Sequence, residues 1–246
     1  KQPLMTNLCE FSTQTTGEFT LKIPSCVLNH GEIVIDSGTT FSVNGAQGAV
    51  PLQEIKAMAG VPSITKVFRH FKVVGLGTRL ELNYVRLTGG RVRLSGAFIN
   101  GKGGSIYVKS GSLAIVGSYF AGCGGVKCAK SGGAIYMTSL PNNAVVITDS
   151  TFEQNRAESG GAIFTMGTSL ATPVVTLQNV LFRSNEAQQD GGAVYTGYRT
   201  VVNMSSCTFE SNTAGGLQTS GWARGGAFFV AMEDQEGDVS LIVHNG

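Results

Sequence analysis

Apolar side chains in this chain alternate with polar ones over short runs, and the runs come back about every thirty residues. Val145 and Ile147, Val175 and Leu177, and Val202 and Met204 each stand seven and five positions before a phenylalanine, as Leu113 and Ile115 do before Phe120. A period of two is that of a strand, because successive side chains point to opposite faces. Three positions before each Phe the residue is small or polar (Gly117, Asp149, Asn179, Ser206), and then a core-like position returns (Ser118, Ser150, Val180, Cys207). A bend between two short strands accounts for both.

Two further blocks share this register. A Gly-Gly pair followed by a small, an apolar and an aromatic residue occurs five times, beginning at Gly103, Gly132, Gly160, Gly191 and Gly225. Phe-x-x-Asn-x-Ala occurs three times, as Phe152 to Ala157, Phe182 to Ala187 and Phe209 to Ala214. One repeat therefore reads as strand, bend, strand, turn, a Gly-Gly-led strand and a variable return loop, which is one coil of a solenoid. A lone coil cannot bury its apolar face. Stacking coils ~4.8 Å apart pairs each strand with its equivalent in the next coil, as a parallel sheet requires. The predicted fold is all-β, a single-stranded parallel β-helix, and crossovers between parallel strands are right-handed in about 98% of cases. Phe120, Phe152, Phe182 and Phe209 should form one stacked column, and Asn155, Asn185 and Asn212 an amide ladder that satisfies turn backbone groups.

Repeats are clear from about residue 80. Leu80, Leu82, Val85, Leu87 and Gly89-Gly90 match the same spacing, Ile33 to Val43 matches it faintly, and Val50 to Pro62 breaks it and is expected to hold a short helix or a loop. The predicted organisation is an N-terminal cap over residues 1–30 and a β-helix over 31–246. Val239-x-Leu241-x-Val243 restarts a coil that stops at Gly246, so the C-terminal coil reads as incomplete. A half-built coil exposes a sheet edge, and the expectation is a longer chain or filament that self-associates through that end when expressed alone.

Composition narrows the functional classes. With 34 glycines, 14% charged residues and a formal net charge of +2, the chain offers neither a nucleic-acid stripe nor a polybasic membrane patch. No apolar run is long enough to cross a bilayer as a helix. Cys9 with Cys26 and Cys123 with Cys128 make two locally spaced pairs, read as disulfides rather than metal ligands because no His accompanies them. Cys207 falls on an apolar repeat position and is expected to be a buried free thiol. Asn203-Met204-Ser205 is a glycosylation sequon, compatible with a secreted chain.

The Gly-Gly-Ala-Ile block paired with Phe-x-x-Asn in one coil resembles the signature of the polymorphic outer membrane protein repeat, over about residues 80–246. That resemblance implies a right-handed parallel β-helix of the pectin-lyase-like kind, displayed at a cell surface with an adhesive or structural role. One copy departs from it: Cys123 stands where the ladder has Asn, so a disulfide-closed turn would replace the amide.

Enzymes of this fold need acidic and basic groups aligned on one exposed face. Asp149 has Gly117, Asn179 and Ser206 as column neighbours and reads as a turn residue bonded to its own backbone, while Asp190 stands alone before a Gly-Gly pair. The residues after each Phe (Ala121, Glu153, Arg183, Glu210) alternate in charge and read as a solvated ladder. His30, His70 and His244 fall in unrelated parts of the repeat, and surface or packing roles suffice for them. No cofactor is indicated. The expected function is thus that of a non-catalytic, secreted or cell-surface protein with a structural or adhesive role, contacting other surface proteins, further copies of the chain or glycans. Two alternatives remain. A polysaccharide-active enzyme would draw on Asp36, Lys66, Arg69 and His70, and a glycan-binding module would use loop aromatics such as Tyr198 and Trp222. Trp222 beside Arg224 would suit a sugar ring or a partner if exposed, whereas a Trp folded back over the helix edge would serve packing alone.

Overall fold

The computed structural model describes residues 17–20, 25–28, 32–57, 69–92, 101–122, 129–138, 140–141, 145–168, 172–215, 223–231 and 240–244. Among them there is no helix, and the strands fall into three long sheets of eight, seven and seven strands and a short one of three. Every strand pair is parallel and joins equivalent positions of successive coils. The chain is a parallel β-helix.

In each coil the chain runs through the third, first and second sheets in turn. One such coil consists of Ile163–Met166 in the third, Val174–Gln178 in the first and Leu181–Arg183 in the second, followed by the two-residue strand Glu186–Ala187. Alternation decides which side chains go inside: Val175, Leu177, Phe182 and Ile163 are buried in one continuous core with their equivalents from other coils.

Corners between sheets need single residues in the left-handed region. Gly117, Asp149, Asn179 and Ser206 have φ of 56°, 50°, 52° and 51°, which explains the small or polar residue at the bend. Gly160 turns the chain into the third sheet with φ of 63°, while Gly161 is required by packing, since a Cβ there would lie 2.0 Å from the Gly192 carbonyl oxygen. The Gly-Gly pair thus combines a conformational and a steric demand.

The N-terminal region departs from the sequence-based outline. Gln53–Ala57 is neither helix nor loop but a strand of the second sheet, paired with Ser25–Leu28 and Val85–Thr88. Its alternation is short, with only Ile55 and Ala57 buried, and charged neighbours mask it. Gly17–Thr20 and Ser25–Leu28 already pair with Thr40–Asn44 and Gln53–Ala57, so coil structure extends into the stretch assigned to the cap, of which residues 1–16 lie outside the described ones.

One inner column carries polar atoms. Thr165 and Thr196 follow Met137 in the third sheet, and their hydroxyls are buried with no hydrogen-bond partner among the described residues. A buried hydroxyl without a partner costs free energy that an isosteric apolar group does not. Thr165→Val should therefore raise stability by about 1 kcal/mol in urea unfolding. A loss of stability would mean that the hydroxyl has a partner.

Candidate functional site

The sequence-predicted columns come together inside the helix. Phe120, Phe152, Phe182 and Phe209 stack with ring centroids 4.7, 5.3 and 4.9 Å apart and interplanar angles of 14° or less. Beside them the Asn185 Nδ2 donates to the Phe152 carbonyl at 2.9 Å and to the Asn212 Oδ1 at 2.9 Å. The Asn185 Oδ1 in turn accepts from the Asn155 backbone N–H and Nδ2, both at 3.0 Å. Each amide bonds the turn backbone of the preceding coil and the amide of the next. Asn185→Ala should cost ~1–3 kcal/mol, because a buried carbonyl and a buried N–H lose their partners. A denaturation midpoint equal to that of the parent chain would show that water replaces the amide.

Among the described residues, several charged side chains of the repeated coils are tied from coil to coil. Arg183 binds Glu153 at 2.8 Å, Glu153 also accepts from the Tyr119 hydroxyl, and Arg156 pairs with Glu186. Asp149 accepts from the Asn179 Nδ2 at 2.7 Å, a bond across coils rather than to its own backbone. Asp190, expected to stand alone, is 8% exposed and grips Arg224 through Nε at 3.1 Å, Nη2 at 3.0 Å and its backbone N–H at 3.0 Å. The Arg224 guanidinium also lies 4.5 Å from the Phe229 ring centre, so the residue proposed for partner contact is tied to the preceding coil and to a ring of its own.

Trp222, Lys66, Cys9, Cys123 and Cys128 lie outside the described residues. Cys26 is buried and is not a free thiol. Cys207 is free but only half-buried rather than buried, directly before Thr208–Glu210, the last described strand of the second sheet. Its Sγ lies 3.5 Å from the carbonyls of Leu177 and Ser205, continuing the bonds made by the Ser118 and Ser150 hydroxyls in the same column, and burial pushes its thiol pKa up. Asn203 sits mid-strand between Thr176 and Ile242 with its Oδ1 buried, a more enclosed place than a loop.

His70 is fully buried under the second sheet. Its Nε2 is 3.1 Å from the carbonyl oxygens of both Ile55 and Thr88. Carbonyls only accept, so Nε2 carries the hydrogen. Burial, opposed by those two bonds and by Glu54, lowers its pKa to about 4. The imidazole is neutral at physiological pH and bridges two coils. Asp36 lies exposed in a turn, accepting from Ser37, and is not brought to His70.

A groove that sequence reasoning missed lies on the outer face of the third sheet. Tyr107, Tyr136, Phe164, Tyr195 and Phe229 form a second, outward aromatic column with centroids 4.4 to 5.6 Å apart. At its N-terminal end Glu32, Arg69, Lys72, Val74, Lys102, Tyr107 and Lys109 line a cavity of about 300 Å³. Arg69 is buried, pairs with Glu32 at 2.9 Å and lies 5.1 Å from the Tyr107 ring centre. Burial lowers the Arg69 pKa, partly offset by Glu32, and raises that of Tyr107. Lys102 Nζ lies 4.8 Å from the Tyr136 ring centre. No carboxylate among the described residues pairs with Lys72, Lys102 or Lys109. The signal was present in the repeat register, because Arg69-His70-Phe71-Lys72 occupies the positions of Gly104-Ser105-Ile106-Tyr107.

A family model described as the Chlamydia polymorphic membrane protein (Chlamydia_PMP) repeat matches residues 149–166 and 179–197. These stretches run from the bend at Asp149 and at Asn179 through the Phe-x-x-Asn turn and the Gly-Gly corner into the third sheet. The chain is a parallel β-helix with repeats of that type. No curated protein and no solved structure matches it.

Proposed function

We propose that this chain is a non-catalytic surface protein whose stacked faces serve as a scaffold or an adhesive surface. The observation that carries the reading is the coil-to-coil pairing of the charged groups: Glu153 with Arg183, Arg156 with Glu186 and Asp190 with Arg224. Carboxylates held by cations in successive coils stiffen the solenoid and are poorly placed to exchange protons with a substrate. The repeat type supports display at a cell surface, since the matching family is that of a membrane protein. The cystine pairs Cys9–Cys26 and Cys123–Cys128 would suit the oxidising conditions found there. Incubation with pectin or alginate tests the reading. The expected result is no unsaturated uronate product, and product formation abolished by one Asp or Arg substitution would replace the scaffold with an enzyme.

A further inference from the structure

We infer that the groove on the outer face of the third sheet binds a glycan bearing sulfate or carboxylate groups. This deepens the adhesive half of the proposed function by naming a ligand class and a place. The lining carries four cations, Arg69, Lys72, Lys102 and Lys109, against the single carboxylate of Glu32. Glu32 is already matched by Arg69, which leaves three lysines without a counter-charge among the described residues. Like charges brought together on one face repel, and a folded protein that holds them there gains when an anion enters.

The arrangement of the cations distinguishes the ligand. Lys72 is level with Tyr107 and Val74 with Lys109, so Lys72 and Lys109 project from adjacent strands but two positions apart, with Lys102 at the corner beyond. Separated ammonium groups suit anionic groups spaced along a chain better than one phosphate, which is typically gripped by forked arginines. The one arginine present is occupied by Glu32. Tyr107 has Arg69 against its ring and Tyr136 stacked 5.6 Å away, so it offers no free face on which a nucleobase could stack. Its hydroxyl, with no hydrogen bond among the described residues, can donate to a sugar oxygen, and Val74 contributes apolar wall. The volume is at the lower end of ligand sites, roughly 300–1,000 Å³, enough for part of a chain that continues along the sheet.

Calorimetric titration of the chain with a heparin-derived oligosaccharide, a polygalacturonate oligosaccharide, neutral dextran and inorganic sulfate, at low and high salt, tests the inference. At least one anionic oligosaccharide should bind, dextran should not, and high salt should weaken the complex. Lys72→Gln with Lys109→Gln should reduce affinity about tenfold or more, while Lys56→Gln, an equal loss of charge on the second sheet, should leave it unchanged. Thermal melts check that the variants fold, and each single substitution is read separately if the double one does not. The inference fails if neither anionic oligosaccharide binds, if Lys56→Gln weakens binding as much, or if sulfate alone binds as tightly as the oligosaccharide. Any of these leaves the scaffold reading standing, because the uronate assay decides that independently.

Discussion

Phe182→Ala should destabilise the β-helix by ~3–5 kcal/mol, the largest loss expected from any single truncation of the inner columns. Phe182 has no exposed surface, and its ring lies between Phe152 and Phe209 at 5.3 and 4.9 Å. Truncation removes the transfer free energy of a benzyl group and both ring contacts. It also leaves a cavity that cannot collapse, because Phe152 and Phe209 are fixed by backbone pairing to the same strand. In a solenoid each coil contacts only its neighbours, so the loss falls on two interfaces at once. Phe182→Leu keeps most of the volume and should cost much less. Urea unfolding of both variants provides the check, and equal midpoints for Ala and Leu would mean that the column is not a packed one.

Stability should also fall steeply on mild acidification, through His70. Its pKa is about 4 in the folded chain and 6.5 for an ordinary histidine, so between those values the unfolded chain binds the extra proton. Unfolding then takes up a proton and becomes easier as pH drops. The contribution is complete above pH 6.5 and is lost progressively towards pH 4, at about 1.4 kcal/mol per unit and roughly 3 kcal/mol in all. The physical cause is that an imidazolium would have to sit in the apolar core, and two carbonyls and Glu54 do not offset that burial. His70→Gln retains a donor for one carbonyl and cannot titrate. It should be less stable than the parent chain at neutral pH, with a shallower pH slope. Carboxylates titrate in both chains, so the difference between the two slopes isolates the histidine. Parallel slopes would place His70 in contact with water.

Legibility in the sequence followed repetition. From Ser112 onwards each coil repeats the same demands, a left-handed bend, a stacked ring and a Gly whose Cβ would strike the next coil, and so the period shows through. In the earlier coils the same geometry is met by other residues. Ile55 and Leu87 take the place of the phenylalanine, and Gly90 stands at the amide position. Gly90 brings no side chain to the turn, and His70, reaching across from the third sheet, bonds the carbonyls of Ile55 and Thr88 instead. A sequence pattern searches for residue types, whereas the fold needs only a donor at that point in space. That is why Gln53–Ala57 reads as a break and why His70 reads as unplaced.

What the sequence determined by itself is the coil: its length, its inward faces, its bends and the ring and amide columns, all of which follow from local periodicity and from identical side chains falling in register. What only the tertiary structure decided is which unlike residues meet. Asp190 and Arg224 lie 34 residues apart, each directly before a Gly-Gly pair but opposite in charge, and the coil-to-coil register sets them at 3.0 Å. Arg69, Lys72, Lys102 and Lys109 come from different coils whose return loops vary in length, and they converge because parallel pairing brings Lys72 level with Tyr107. Sheet hydrogen bonds align backbones without regard to side-chain identity, so a chemically mixed site is a product of register, and register is a property of the stacked chain.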